Sequence, residues 1–307
     1  MKVVRDYGLV ALLGFMIILF GLLNPVFVSS QNLLNILDQI SIIGIIALGM
    51  TLVILTGGID LSVGSIVAFT GIILAKALVS GFSVPASILL CLATGVGLGT
   101  VNGFFVSYGK LPSFIVTLGL MSAVRGATLY LAEGRSISSL PIGLNQIANF
   151  SVLGITLPAL AFIVLTIVFA FFTRFTYWGK YIYALGGNER AAWLSGVRIQ
   201  RYKMFVYVIT GLLCSVSAVV LVGKLSSAQS QAGNMYELTA IAAVVMGGTS
   251  LSGGKGSIYG TFFGVLVLGV LQNGFSILNV SIYYQQILLG VIIIIAVYLD
   301  KKSFQVE

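Results

Sequence analysis

Residues 41–75 read SIIGIIALGMTLVILTGGIDLSVGSIVAFTGIILA. A lone carboxylate, Asp60, stands between two long apolar runs, with glycines on either side. Either the chain leaves an apolar medium here, or a charge has been placed inside one. The rest of the chain decides which medium the flanking runs occupy.

Hydrophobic residues are 58% of the 307 and charged residues only 8%, whereas a soluble domain is about 25% charged. Such a chain cannot cover a water-facing surface, so it reads as an integral membrane protein. The net charge of +8 fits inner loops obeying the positive-inside rule better than a nucleic-acid surface. His is absent, and the two cysteines, Cys91 and Cys214, lie within apolar runs. A zinc site and a His-based acid–base catalyst are therefore excluded, and the cysteines read as packing residues. The N-terminal run up to Asn24-Pro25 is long for a signal peptide and lacks a small-residue cleavage site, so it reads as a retained first span.

Apolar runs broken by charge, Pro or Gly-rich turns give ten spans, at about 7–24, 39–56, 65–80, 84–107, 113–132, 156–173, 204–223, 237–252, 257–277 and 284–299. The expected fold is all-α, a polytopic transmembrane helix bundle forming a single transmembrane domain over 1–307. Several runs are short for a core of about 30 Å, which predicts tilted, broken or partly immersed helices. With the N-terminus inside, the inner loops hold Lys2, Arg5, Lys110, Arg174, Lys180, Arg190, Arg198, Arg201, Lys203, Lys255, Lys301 and Lys302. The outer loops hold only Arg135 and Lys224, while Lys76 and Arg125 fall within spans. That bias predicts cytoplasmic N- and C-termini.

The longest inner segment, 172–203, is also the most basic. Within it GGNERAAWLSG (186–196) carries helix punctuation: Asn188 as N-cap, Glu189 in the first turn, Gly196 as the stop. The short helix this predicts either rests on lipid, anchored by Trp178 and Trp193, or docks a cytoplasmic partner. The longest outer loop, 133–155, is half apolar and suits packing on the outer face or an external partner.

A local repeat accompanies the opening stretch. GGIDLSVG–SIVAFTG (57–71) matches GGTSLSGGKGSIYGTFFG (247–264), which puts Asp60 in a turn, with Ser250 in its place in the second copy. Both side chains accept hydrogen bonds from free N–H groups at the start of a helix. The two turns read as cytoplasmic hinges, with Gly57, Gly58, Asp60, Gly247, Gly248 and Lys255 near an inner gate. Gly95, Gly99 and Gly103 recur at i+4, as do Gly260 and Gly264, a spacing that lets helices approach closely. Asn102, Gln272 and Asn273 are polar span residues that read first as interhelical hydrogen-bonding groups, with a translocation-pathway role as the alternative; Arg125, the costliest to immerse, should face the bundle interior or water and joins them as a pathway candidate. GGKGS (253–257) fails the phosphate-loop pattern, since Thr249 stands where the pattern wants Gly and Gly256 where it wants Ser or Thr. No chain of membrane carboxylates suits proton coupling, and no nucleophile–base pair suggests an enzyme.

The stretches LVILTGGIDLSVGSIVAFTG, GKYIYALGGNERAAWLSGV, KLSSAQ, YELTAIAAVVMGGTSLSGGKGSIYGT and SIYYQQILLGVIIIIAVYLD resemble the permease subunit of bacterial ABC importers for simple sugars. The similarity runs from about residue 20 to about 302, in order and with few gaps. It implies a non-catalytic subunit of the bacterial plasma (inner) membrane that works as a permease dimer. A cytoplasmic ABC ATPase, which binds ATP and Mg, would dock beneath, and an extracytoplasmic sugar-binding protein above. This chain would itself carry no cofactor, and membrane lipid rather than nucleic acid would surround it. The family's ATPase-coupling segment matches Gly186, Gly187, Asn188, Glu189, Arg190, Ala191, Ala192 and Gly196, which favours docking over lipid contact. The sugar implied is ribose; another monosaccharide, autoinducer-2 or a nucleoside remains open, as does a self-sufficient secondary transporter. One departure is Thr239, where members of the family carry Asp after Tyr-Glu-Leu.

Overall fold

The computed structural model describes residues 2–304, with side chains over 8–295, 297 and 298. The side chains of Lys2, Arg5, Lys301 and Lys302, counted above among the inner charges, lie outside the described ones. Helices dominate: α1 (Lys2–Leu23), α2 (Ser30–Leu55), α3 (Val63–Val79), α4 (Val84–Ser107), α5 (Ser113–Leu131), α6 (Ile142–Asn149) and α7 (Leu157–Phe175). They continue with α8 (Tyr177–Gly187), α9 (Glu189–Leu194), α10 (Ile199–Leu225), α11 (Tyr236–Met246), α12 (Ile258–Ile277) and α13 (Ile282–Phe304). One hairpin, β1 (Ser151–Val152) against β2 (Ile155–Thr156), interrupts them. The architecture is an all-α membrane bundle. Among the described residues six helices, α2, α4, α5, α7, α10 and α12, are long and apolar enough to cross a membrane.

α2 is the centre. Every residue from Gly44 to Leu55 is buried, as a helix apolar on all sides must be. α7, α10, α11 and α12 pack around it. The largest helix–helix interface joins α4 to α10, and the glycine spacing in α4 explains it. A Cβ on Gly95 would stand 2.4 Å from the Gly211 carbonyl oxygen, and one on Gly99 2.4 Å from that of Tyr207. The two backbones touch directly, as small residues at i+4 allow.

Three boundaries depart from the sequence expectation. α2 begins at Ser30 rather than 39, because Asp38 does not stop it: its carboxylate pairs with Lys224 of α10 and accepts a hydrogen bond from Thr156 Oγ1 at 2.5 Å. α10 accordingly runs from Ile199 to Leu225 and takes Lys224 into its last turn. α11 stops at Met246, six residues before the expected 252, because Gly248 turns at φ +83° and the polar turn 247–257 follows.

The segment 133–155, expected on the outer side, folds back on the bundle. Leu144 and Ala148 of α6 are buried, and Asn145 Nδ2 donates to the Gly223 carbonyl at 3.1 Å and to Ser226 Oγ at 2.9 Å. Ile137 also bridges to Ala228.

Candidate functional site at the inner mouth

The two similar turns meet one end of the basic inner segment. α8 and α9 fill that segment. Asn188 links them, its Oδ1 accepting from the Ala191 N–H at 2.9 Å, and Gly196 ends α9 at φ +83°. α8 was not anticipated from sequence; its buried Gly179, Ile182 and Leu185 recur at i+3, a stripe the flanking Arg and Lys residues obscured.

At the end of α8, a Cβ on Gly186 would stand 1.9 Å from the Leu55 carbonyl oxygen and 2.3 Å from the Gly254 nitrogen. Gly254 N–H donates to that same Leu55 carbonyl at 3.0 Å. Gly253 also approaches Gly57, a Cβ there lying 2.8 Å from the Gly57 nitrogen. The ends of α2, α8 and the α11–α12 turn thus touch backbone to backbone. Tyr183 adds a hydrogen bond from its hydroxyl to the Gly256 carbonyl at 3.0 Å.

Asp60 is almost fully buried at 1% exposure. Its Oδ1 accepts from the Ser62 N–H at 2.9 Å and the Ser62 hydroxyl at 2.6 Å. This is a turn closed two residues on, rather than a bond to the first turn of α3. Asn102 of α4 donates to Ser62 Oγ at 2.8 Å, so it supports the turn. Burial pushes the Asp60 carboxyl up to about 6, with the Ser62 and Asn102 hydrogen bonds pulling the other way. Ser113 and Thr117 of α5 accept the Ile59 and Leu61 N–H groups.

Below this turn lies a cavity of about 700 Å³ whose walls include Gly57, Gly58, Lys110, Glu189, Trp193, Lys203 and Tyr207. Glu189 of α9 and Lys203 of α10 form an ion pair across it at 2.7 Å. The short helix is therefore tied to a long one by charge as well as by chain.

The nominated pathway residues scatter. Asn273 is buried and shares a reciprocal amide pair with Asn32 (2.9 and 3.1 Å), joining α12 to α2. Gln272 is exposed one position earlier. Arg125 is half-buried on α5, and its Nη1 donates to the Ser230 and Ala232 carbonyls at 3.1 and 2.8 Å. Among the described residues no cluster of metal-ligating side chains occurs. Thr239 Oγ1 donates to the Met235 carbonyl at 2.9 Å within α11.

Comparison with known proteins gives the context. Ribose import permease protein RbsC of Escherichia coli is 44% identical over 303 residues, 96% of this chain and 93% of its own length. RbsC of Bacillus subtilis is 43% identical over 290 residues, 94% and 90% of the two chains. The D-allose transport system permease protein AlsC of E. coli is 35% identical over 96% of this chain and 91% of its own. The profile of one family, described as "Branched-chain amino acid transport system / permease component", matches residues 32–297. With a match that covers most of the bundle and the whole inner mouth, the chain belongs to that family of membrane permease components.

Proposed function

We propose that this chain is the membrane-spanning subunit of an ATP-driven importer whose cargo is a monosaccharide, ribose first. The observation that carries the reading is the 44% identity to a ribose import permease across 96% of the chain. In this reading α1, α2, α3, α4, α5, α7, α10, α11, α12 and α13 make up ten membrane elements, with both termini cytoplasmic, and two copies form the working unit. ATP and Mg belong to a partner ATPase, and an extracytoplasmic binding protein delivers the sugar.

In the proposed mechanism the ATPase grips α9 and the Gly186–Gly196 segment. Its movement reaches α2 and the α11–α12 turn through the glycine contacts, and α10 through Glu189–Lys203. Gly57, Gly58, Asp60, Gly247, Gly248 and Lys255 then serve as the hinge of the inner gate. The sugar passes without a tight stop, since a deep binding well would slow release.

The test is co-reconstitution of the chain with its ATPase and binding protein in liposomes. Ribose uptake that needs ATP and all three components is expected. Uptake of leucine but not ribose, or ribose uptake by the chain alone under a proton gradient, would overturn the reading. Allose is the second cargo to assay, given the relative that bears its name.

A further inference from the structure

The segment 226–235, SSAQSQAGNM, follows α10 and has no helix of its own. α10 is 27 residues long, about 40 Å, and crosses the whole bundle from the inner mouth outwards. α11 returns to the inner mouth in only 11 residues, about 16 Å. The chain must therefore descend from the outer side to mid-depth as non-helical backbone before α11 begins. Arg125 gives an independent reading of depth: it lies 12 residues, about 18 Å, along α5 from Ser113 at the inner mouth. Its guanidinium holds the carbonyls of Ser230 and Ala232. Gly233 sits against the start of α3, where a Cβ on Gly64 would stand 2.1 Å from its carbonyl oxygen. Positive φ at Ser226 (49°), Gly233 (72°) and Met235 (65°) turns the backbone into this path.

Irregular backbone at membrane depth persists only where it is covered by protein or faces water. Here the side chains of Gln229, Gln231 and Asn234 are exposed, and none of these three side chains makes a hydrogen bond to another described residue, although the Gln229 carbonyl accepts from the Ala232 N–H. Hydrocarbon would strand these amides. Arg125 and Glu237 lie near enough to attract one another, so the patch is close to neutral while rich in groups that both donate and accept.

We propose that Gln229, Gln231 and Asn234 line the aqueous translocation pathway at mid-membrane, and that Arg125 positions their segment through its carbonyls. The ligand class is an uncharged polyhydroxylated small molecule. Hydroxyls donate and accept, as amides do, whereas a zwitterion would need charged partners that Gln229, Gln231 and Asn234 do not supply. The assignment of cargo class rests on the monosaccharide reading above; the wet face does not.

The test uses the assembled transporter with Gln231→Cys or Asn234→Cys and a water-soluble methanethiosulfonate reagent. Cys91 and Cys214 are both 0% exposed and give a low background. Val164→Cys, on the exposed apolar face of α7, is the lipid-facing control. Labelling about tenfold faster than the control is expected, with uptake reduced at least fivefold (about 1 kcal/mol) while ATPase stimulation by loaded binding protein stays unchanged. Labelling no faster than Val164→Cys would overturn the proposal, and so would fast labelling that leaves uptake intact. If the wild-type transporter carries no sugar but the labelling contrast holds, the cargo reading fails and the wet face stands. If wild type imports ribose and the contrast is absent, this inference alone falls.

Discussion

The turns 57–62 and 247–256 share a sequence pattern and differ in surroundings. In the first, Asp60 Oδ1 accepts the N–H two residues ahead at 2.9 Å; in the second, Ser250 Oγ does the same from Ser252 at 3.3 Å. The first turn is buried among α4 and α5, and the carboxylate there takes the Ser62 N–H and hydroxyl as donors, with Asn102 donating to that hydroxyl in turn. The second runs along the end of α8, and its glycines provide direct backbone contact. A single local motif thus serves once as a buried strut and once as a contact surface. What separates the two uses is the neighbouring helix, which the motif itself does not encode.

The largest way to break the contact side is Gly186→Val. Its Cβ would meet the Leu55 carbonyl, and backbone atoms cannot yield, so a loss of about 3 kcal/mol or more is expected. Thermal melting in detergent should show it as a collapse of folded yield. Gly187→Ala, with nothing within 4 Å of the added carbon, should melt within about 0.5 kcal/mol of wild type. Equal behaviour of the two would remove the glycine junction from the account.

Next, Asn102→Leu should cost about 1–3 kcal/mol, because it takes a buried donor from Ser62. Ser250→Ala, which loses the weaker bond from Ser252, should cost about 1 kcal/mol. Reversal of that order would mean that the second turn, not the first, is the strut.

Glu189→Lys breaks an ion pair whose acid is half exposed, so stability should fall by less than about 1 kcal/mol. Stimulation of the partner ATPase should nevertheless drop several-fold. Unchanged stimulation would detach α9 from coupling.

The smallest effect belongs to Asp60→Asn. The folded carboxyl titrates at about 6, above its ordinary 3.8. Its contribution to stability is therefore full below the lower value and lost as pH rises through the upper one. The Asn variant should melt at or slightly above wild type near about pH 8, with the gap closing towards about pH 4. A variant less stable at the higher pH would give the charge a task of its own.

Long uniform runs made the helical bundle legible: each expected apolar run overlaps a helix, and among the described residues six of those helices are long and apolar enough to cross a membrane. Asn188 and Gly196 likewise marked α9, because caps are local signals. What stayed hidden depends on pairing across the chain. Asp38 looked like a boundary because its neutraliser, Lys224, is 186 positions away. Interhelical hydrogen bonding is the first reading of Asn102 and Asn273 in the sequence, but their partners, Ser62 in the 57–62 turn and Asn32 of α2, lie far off along the chain. The polar segment 226–235 reads as an ordinary outer loop until the brevity of α11 shows how deep it must return.

The direct backbone contact between α4 and α10 also bears on how far motion can travel. Where Gly99 and Gly211 bring backbone against backbone, the two helices are expected to tilt as a unit. α10 joins Lys203 near the inner mouth to Lys224 near the outer end. Over its length of about 40 Å, a tilt of about 5° at the inner end displaces the far end by about 3.5 Å. A small angular input at the Ile199 end of α10 therefore arrives at the Leu225 end as a movement of that size, delivered where segment 226–235 begins.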